Sequence, residues 1–155
     1  MPLIPSLFER VPGDKFEPSA GSPDVAEDFR GVTLAAPTRV ILADGVTFPV
    51  CGTYRVSGRF FNRFSSFVNE IVVVAVDTST HAPRVMNLLQ QGFDPVKTGF
   101  DPSAPDFEQI VVTGWFNVDL FTWMPSLPRG PGRYTVFATV GDVVSNVVTV
   151  EIVAP

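Results

Sequence analysis

The chain has 155 residues and a formal net charge of -5, with 17% charged and 45% hydrophobic residues. A domain of this length buries roughly two thirds of its unfolded surface without a metal or disulfide, and the single cysteine, Cys51, has no partner for an intrachain bridge. The acidic balance and the presence of only two lysines exclude dense phosphate-backbone contacts, so we expect no nucleic-acid partner.

The N-terminal stretch is rich in proline, serine, glycine and acidic residues, which predicts an extended arm over 1–28 followed by a domain over 29–155. The start, MPLIPSLFERVPGD, lacks the basic and long apolar regions of a secretory signal. The longest wholly apolar run, 71–76, is far shorter than the roughly 20 residues of a membrane-spanning helix. We therefore expect no membrane span and favour a cytoplasmic location, which the single cysteine also suits.

The arm contains four apolar side chains in an otherwise loop-like sequence: Leu3, Ile4, Leu7 and Phe8. They either dock on the domain itself, which is the simpler hypothesis, or contact another subunit. In the second case we expect the arm to act together with an edge of the folded domain, because edge strands carry unpaired backbone groups.

The first half of the domain predicts short strands at 29–34, 38–43 and 49–61. Ala36-Pro37 divides the first two, and Asp44-Gly45 is typical of a hairpin turn. The third strand alternates with period two, and its parity places Cys51 on the side that faces water. We nevertheless expect this thiol to behave as a small buried hydrophobe.

A long strand is predicted over 67–78, and its centre is apolar on both faces. Such a strand is typical of the middle of a sheet whose two faces are both covered. The stretch 83–91 predicts a further strand, with a helical turn over 87–91 as the alternative. A loop over 92–105 then precedes a strand over 107–118.

The chain closes with a predicted hairpin, in which strands 133–140 and 143–152 flank the turn Gly141-Asp142. Alternation on the second strand predicts one buried row: Val144, Val148, Val150 and Ile152. With seven to nine strands, Pro/Gly-rich links and no amphipathic helix, the sequence predicts an all-β, antiparallel β-sandwich.

The motif Gly132-Arg133-Tyr134-Thr135-Val136 resembles strand F of immunoglobulin-like and fibronectin type III-like domains. The resemblance implies that the Tyr134 hydroxyl bonds to backbone in a tyrosine corner, and that Val136 replaces the second cysteine of antibody domains. Cys51 is unpaired and the stretch 67–78 contains no tryptophan, so the chain departs from antibody domains. The resemblance implies an immunoglobulin-like fold and no particular activity.

Two polar groups suggest chemistry. Asp77, Ser79 and His81 favour a polar turn over a hydrolase site, because no nucleophile-elbow pattern accompanies them. We therefore expect no enzymatic activity and no cofactor.

A calcium site is the one metal hypothesis with suitable ligands, although its spacing matches no calcium motif and a plain loop is the alternative. Its carboxylates are Asp94, Asp101 and Asp106.

Aromatic side chains cluster in two places. Trp115 and Trp123, with Phe116 and Phe121 between them, suggest either core packing or an exposed platform for a glycan. The second cluster combines phenylalanine with arginine, a composition typical of interfaces, and it is continuous with a predicted sheet face. Its candidate interaction residues are Arg55, Arg59, Phe61 and Phe64.

These patterns favour a non-catalytic module that binds protein, either itself or other subunits, because the sparsely charged surface promotes association. The alternative is a carbohydrate-binding module with an aromatic platform. The two hypotheses differ in which aromatic and apolar side chains the fold exposes.

Overall fold

The computed structural model describes Phe8, residues 16–88 and residues 100–155. In those residues it contains nine strands and two four-residue helices, which confirms the prediction of an all-β chain with seven to nine strands. No helix in the described part of the chain is long and apolar enough to cross a membrane. The strands are β1 Gly31–Ala35, β2 Arg39–Ile41, β3 Pro49–Ser57, β4 Val72–Asp77, β5 Pro83–Asn87, β6 Val111–Asp119, β7 Gly132–Val140, β8 Val143–Val144 and β9 Val148–Val153, and the helices are α1 Gly58–Phe61 and α2 Leu120–Trp123.

The strands form two open sheets. Sheet A has the order β1-β3-β6, and sheet B has the order β2-β9-β7-β4-β5 with β8 paired to β7. Every pairing is antiparallel except that of β2 with β9, which is parallel. This exception follows from the break at Ala36-Pro37, where the chain passes from sheet A to sheet B without reversing its direction.

The core lies between the two sheets and is formed by the side chains that point inward from their strands. Burying one valine or phenylalanine stabilises the fold by roughly 1.5–3 kcal/mol, so these side chains account for much of the driving force for folding. Fully buried members of the core include Val50, Phe116, Val118, Val73, Ala75, Val136, Val140 and Val150.

Two glycines in sheet A make room for aromatic rings. A Cβ atom on Gly52 would lie 2.0 Å from the ring of Phe116, and one on Gly114 would lie 2.1 Å from the hydroxyl of Tyr54. Each ring therefore lies directly over the backbone of the neighbouring strand. Glycine, which otherwise weakens a strand, is required at both positions by this close approach.

The closing hairpin forms as predicted at its turn, where Gly141 has a φ of 58° and Val140 pairs with Val143. The register then shifts by one residue, because Ser145 N donates to Ala138 O at 2.8 Å while Val136 pairs with Val148. Such a bulge reverses the alternation.

The prediction of a single buried row along 143–152 was therefore wrong for Val144. Its side chain is 62% exposed, whereas Val150 and Ile152 beyond the bulge are buried as expected.

Asn146 joins this bulge to the edge of sheet A. Its Nδ2 donates to Leu34 O at 3.0 Å, and its Oδ1 accepts from Leu34 N at 2.7 Å. The side-chain amide thus takes the place of a neighbouring strand's peptide at this point of β1. One edge of the sandwich is closed there to pairing with another strand.

Two predicted strands begin later than expected. Short 3-10 turns, Val68–Glu70 and Phe107–Gln109, occupy the starts of the stretches 67–78 and 107–118. Phe67 and Phe107 are buried as predicted for strand residues, but they pack from these turns. Burial of an apolar residue by itself does not distinguish the two conformations. At 83–91 the strand hypothesis is confirmed as far as Asn87, and residues 89–91 lie outside the described part.

Tyr134 is almost fully buried in the core. Its hydroxyl makes no hydrogen bond with a described residue, so the expected tyrosine-corner bond is absent from that part of the chain. Burial, followed by the nearby carboxylate of Asp77, raises the pKa of this hydroxyl.

Candidate functional site

The outer face of sheet A is covered by residues 16–28, here called the strap. Side chains of β3 that point away from the core hold its backbone in place. Thr53 Oγ1 donates to Pro23 O at 2.8 Å, and Arg55 Nε donates to Glu27 O at 2.9 Å. Because its prolines lack an N–H, the strap is bound through its carbonyls by side chains instead of joining the sheet as a strand.

Asn117 on β6 holds the other half of the strap. Its Nδ2 donates to Glu17 O at 2.8 Å, and its Oδ1 accepts from Ser19 Oγ at 2.9 Å. Asn117 is itself buried, so both polar atoms of its amide are satisfied by the strap in a site shielded from water.

Cys51 lies beneath the strap and is fully buried with Phe8 and Ala35. Gly21 packs so closely over the thiol that a Cβ atom there would lie 2.9 Å from Sγ. Burial raises the pKa of the Cys51 thiol from 9.0 to about 11, against a smaller opposing effect of Ser19 Oγ. The predicted wetter side of β3 is thus dry at Cys51, because the strap covers it, while the expectation of a buried thiol is confirmed.

The outer face of sheet B has the opposite character, since none of its outward-pointing described residues is buried. Val85, Val74 and Phe137 are direct cross-strand neighbours and form its central row. The flanking rows are equally free of charge and consist of Asn87, Val72, Thr139 and Val144 on one side and Pro83, Val76, Thr135 and Thr149 on the other. We call these three rows the open face.

This finding corrects the prediction for the long apolar strand. β4 lies in the middle of sheet B, as expected, but only its inner residues Val73 and Ala75 are fully buried. Val72, Val74 and Val76 point outward and are partly exposed. The sequence pattern indicates two covered faces, whereas the described residues cover one.

Charged side chains appear only beyond the open face. Arg133, Glu151 and Arg39 form the next row, in which an Arg39 guanidinium nitrogen lies 3.6 Å from Glu151 Oε2. This row, the basic end, carries one excess positive charge.

The opposite end lies beyond the start of β4 and the end of β7. There Arg63 pairs with Asp142 at 3.5 Å, and Glu70 is exposed in the turn before β4. This acidic end carries one excess negative charge.

The predicted phenylalanine and arginine cluster is assembled at one end of the sandwich. Phe61 and Phe64 are partly buried and pack on Phe67, with ring centroids 5.3 Å and 5.8 Å away. Arg59 is exposed and pairs with Glu108. These contacts are internal, and a partner at this cluster stays a prediction.

Asn62 supports the same end. Its amide exchanges two hydrogen bonds with the backbone of Phe100, with Nδ2 to O at 2.6 Å and N to Oδ1 at 2.9 Å. Nothing in the sequence indicated this pairing, because the two residues are 38 positions apart and β4 and β5 lie between them.

The four aromatic residues of the predicted glycan platform do not share a surface. Phe116 and Phe121 are buried in the core, and Trp123 packs against that core from α2. Trp115 alone lies on the outer face of sheet A, opposite Thr53, and is partly exposed. The carbohydrate hypothesis stays a prediction that now depends on Trp115.

The calcium hypothesis is only partly covered by the described residues, since Asp94 lies outside them. Within them, Asp101 accepts hydrogen bonds from the Ser103 hydroxyl and backbone N–H at 2.7 Å and 2.9 Å, which lower the pKa of its carboxyl. Asp106 is exposed and precedes a 3-10 turn. No group of three potential metal ligands occurs in the described part.

The stretch around Asp77 forms a turn. Asp77 Oδ1 accepts from the hydroxyl of Ser79 at 2.7 Å and from its N–H at 2.8 Å, and these bonds lower the pKa of the Asp77 carboxyl. His81 has a φ of 59° and contributes its backbone N–H to Asp77 O at 2.8 Å. This geometry is that of a hydrogen-bonded polar turn after a strand.

Of the predicted interaction residues in the arm, Phe8 is buried against its own domain, while Leu3, Ile4 and Leu7 lie outside the described residues. Arg55, a predicted interaction residue, is bound to the strap through Glu27 O. The open face was not predicted, and the one signal for it in the sequence is the two-sided apolar pattern of β4.

Comparison of the chain with models of protein families and with curated proteins gave no match.

Proposed function

We propose that this chain is a non-catalytic protein-interaction or structural module that binds protein through the open face. The carrying observation is that β4 has apolar side chains on both faces while the described chain covers only the inner one. Exposed apolar area is unfavourable in water by roughly 25 cal/mol per Å², so its burial by a partner is a source of binding energy.

The size of the open face supports this function. With strands about 4.8 Å apart and side chains of one face about 6.8 Å apart along a strand, it measures roughly 20 by 15 Å. Projected, that is about 300 Å², within the range of the largest apolar patches on soluble proteins, which are often binding sites.

The shape of the face favours a protein over a small molecule. Ligand sites are concave and place a few polar groups at defined positions, whereas this surface is a sheet face whose polar side chains are mainly threonines. Flat, uncharged and partly aromatic surfaces are typical of the centres of protein interfaces.

The strand order supports an immunoglobulin-like form of the sandwich. β1, β3 and β6 correspond to strands A, B and E, and β9, β7, β4 and β5 correspond to G, F, C and C′. In this assignment β7, which carries Tyr134, takes the place of strand F, and the open face belongs to the larger sheet.

The proposal is tested by a photo-crosslinking phenylalanine analogue introduced at Val85 in the full chain, in the cells that produce it. Val85 is 58% exposed on the open face, and Val147, which is 61% exposed outside the strands, is the matched control position. We expect crosslinked protein from position 85 that weakens when Val144→Lys is added, and none from position 147. Equal yields at the two positions, or none at position 85, would contradict the function.

A further inference from the structure

We infer that the occupant of the open face is a second copy of this chain, packed face to face about a two-fold axis. This inference rests on the proposed function and names its partner. It differs from the arm-mediated association that the sequence suggested, because Phe8 and residues 16–28 of the arm pack on their own domain.

The shape of the open face suits such a contact. Two sheets pack face to face when their strand directions differ by about 30°, an angle that arises from their twist. Two copies of sheet B have identical twist, and a two-fold axis that lies in the plane between them and perpendicular to the strands brings the two central rows together. The central row, Val85, Val74 and Phe137, then lies at the middle of the contact.

The distribution of charge also favours this arrangement of two copies. The chain carries a net charge of -5, so most approaches of two copies are opposed by repulsion. The open face has no ionisable side chain, and its two ends have opposite excess charge. A two-fold axis perpendicular to the strands places the basic end of each copy over the acidic end of the other. Arg133 and Arg39 of one copy then approach Glu70 and Asp142 of its partner.

The area of the open face is large enough for a weak dimer. Including side-chain relief and its margins, the open face offers roughly 500–600 Å² of accessible surface per copy, or about 1,000–1,200 Å² in the dimer. This lies at the lower limit of specific interfaces. The dimer is therefore expected to dissociate in the micromolar range and to form only as concentration rises.

The test is sedimentation velocity of the full chain between about 5 and 500 μM, with the weight-average mass as the readout. For the wild type we expect the mass to rise from 16.8 kDa towards twice that value. Val85→Lys and Val144→Lys place charges on opposite sides of the face, and each charge occurs twice in a symmetric dimer. We expect each to raise the dissociation constant at least tenfold, because it buries unpaired ammonium groups.

Val147→Lys is the control and is expected to associate like the wild type, since Val147 has the same exposure outside the open face. Urea unfolding of all three variants confirms that each is folded. A wild-type mass of 16.8 kDa at every concentration overturns the inference, as does full association of Val85→Lys and Val144→Lys. If the wild type stays monomeric but position 85 still crosslinks to another protein, the inference that the partner is a second copy is wrong, while the proposed function stands.

Discussion

Sheet A and sheet B each bury one face in the common core, but their outer faces differ in composition and in what lies on them. The outer face of sheet A has polar side chains, Thr53, Arg55 and Asn117, and each donates to a strap carbonyl. The open face has valine, phenylalanine and threonine and no described segment on it. Directed hydrogen bonds select one segment of the same chain, whereas an apolar face selects by shape and by the absence of charge.

The largest effect is expected when the strap is removed from sheet A. Deletion of residues 1–28 is expected to lower the free energy of unfolding by about 3–5 kcal/mol. It removes several hydrogen bonds worth about 0.5–1.5 kcal/mol each and exposes apolar surface around Cys51. Urea unfolding followed by tryptophan fluorescence measures the change, since Trp115 lies on this face.

The control is deletion of the exposed residues Ala154 and Pro155, which should leave the unfolding midpoint unchanged. If the strap deletion also left it unchanged, the strap contacts would contribute nothing to stability. The two outer faces would then not differ in the way described.

The second test uses the thiol under the strap. Because the folded pKa of Cys51 is raised from 9.0 to about 11, the folded state holds its proton more tightly than the unfolded state. The resulting stability is complete below pH 9 and is lost as the pH rises to about 11, a fall of roughly 2–3 kcal/mol. The free energy of unfolding, measured against pH, should show this decrease in the wild type.

Cys51→Ala should lack this part of the alkaline decrease, while the contributions of Tyr54 and Tyr134, whose pKa values are also raised, stay the same in both proteins. Parallel curves for the two proteins would mean that the thiol is not shielded and that the strap opens readily.

The smallest expected effect lies on the open face. Val144→Thr should change the free energy of unfolding of the monomer by no more than about 0.5 kcal/mol, because the side chain is exposed and has no polar partner to lose. The reverse exchange on the covered face, Thr53→Val, should cost about 1–3 kcal/mol, because it leaves Pro23 O without its donor. Both are measured at low concentration by urea unfolding, and equal costs would contradict the distinction between the faces.

Much of the fold was predictable because local patterns determine it. The turn at Gly141-Asp142, the break at Ala36-Pro37 and the inward row of β3 follow from backbone preferences and from period-two alternation. The position of β4 in the middle of a sheet followed from its two apolar faces.

The errors arose where contacts between distant segments decide the outcome. Alternation placed Cys51 towards water, and the strap and Phe8, both more than 20 residues earlier in the chain, make that position dry. The bulge at Ser145 reversed the exposure of Val144, and no residue type marks it in the sequence. The open face was not predicted, because two apolar faces on a strand indicate that both are buried but do not show whether the same chain or another molecule buries them.

The parallel pairing of β2 with β9 has a consequence for the order in which the chain folds. Arg39 to Ile41 pair with Glu151 to Val153, and Leu34 is joined by Asn146, so both N-terminal strands are completed by residues 112 positions later in the chain. Contacts of such long sequence separation carry a large loop-closure entropy and slow the search for the native state. During synthesis β1 and β2 therefore stay incompletely paired until β9 has been made, and a chaperone would be most effective in that period.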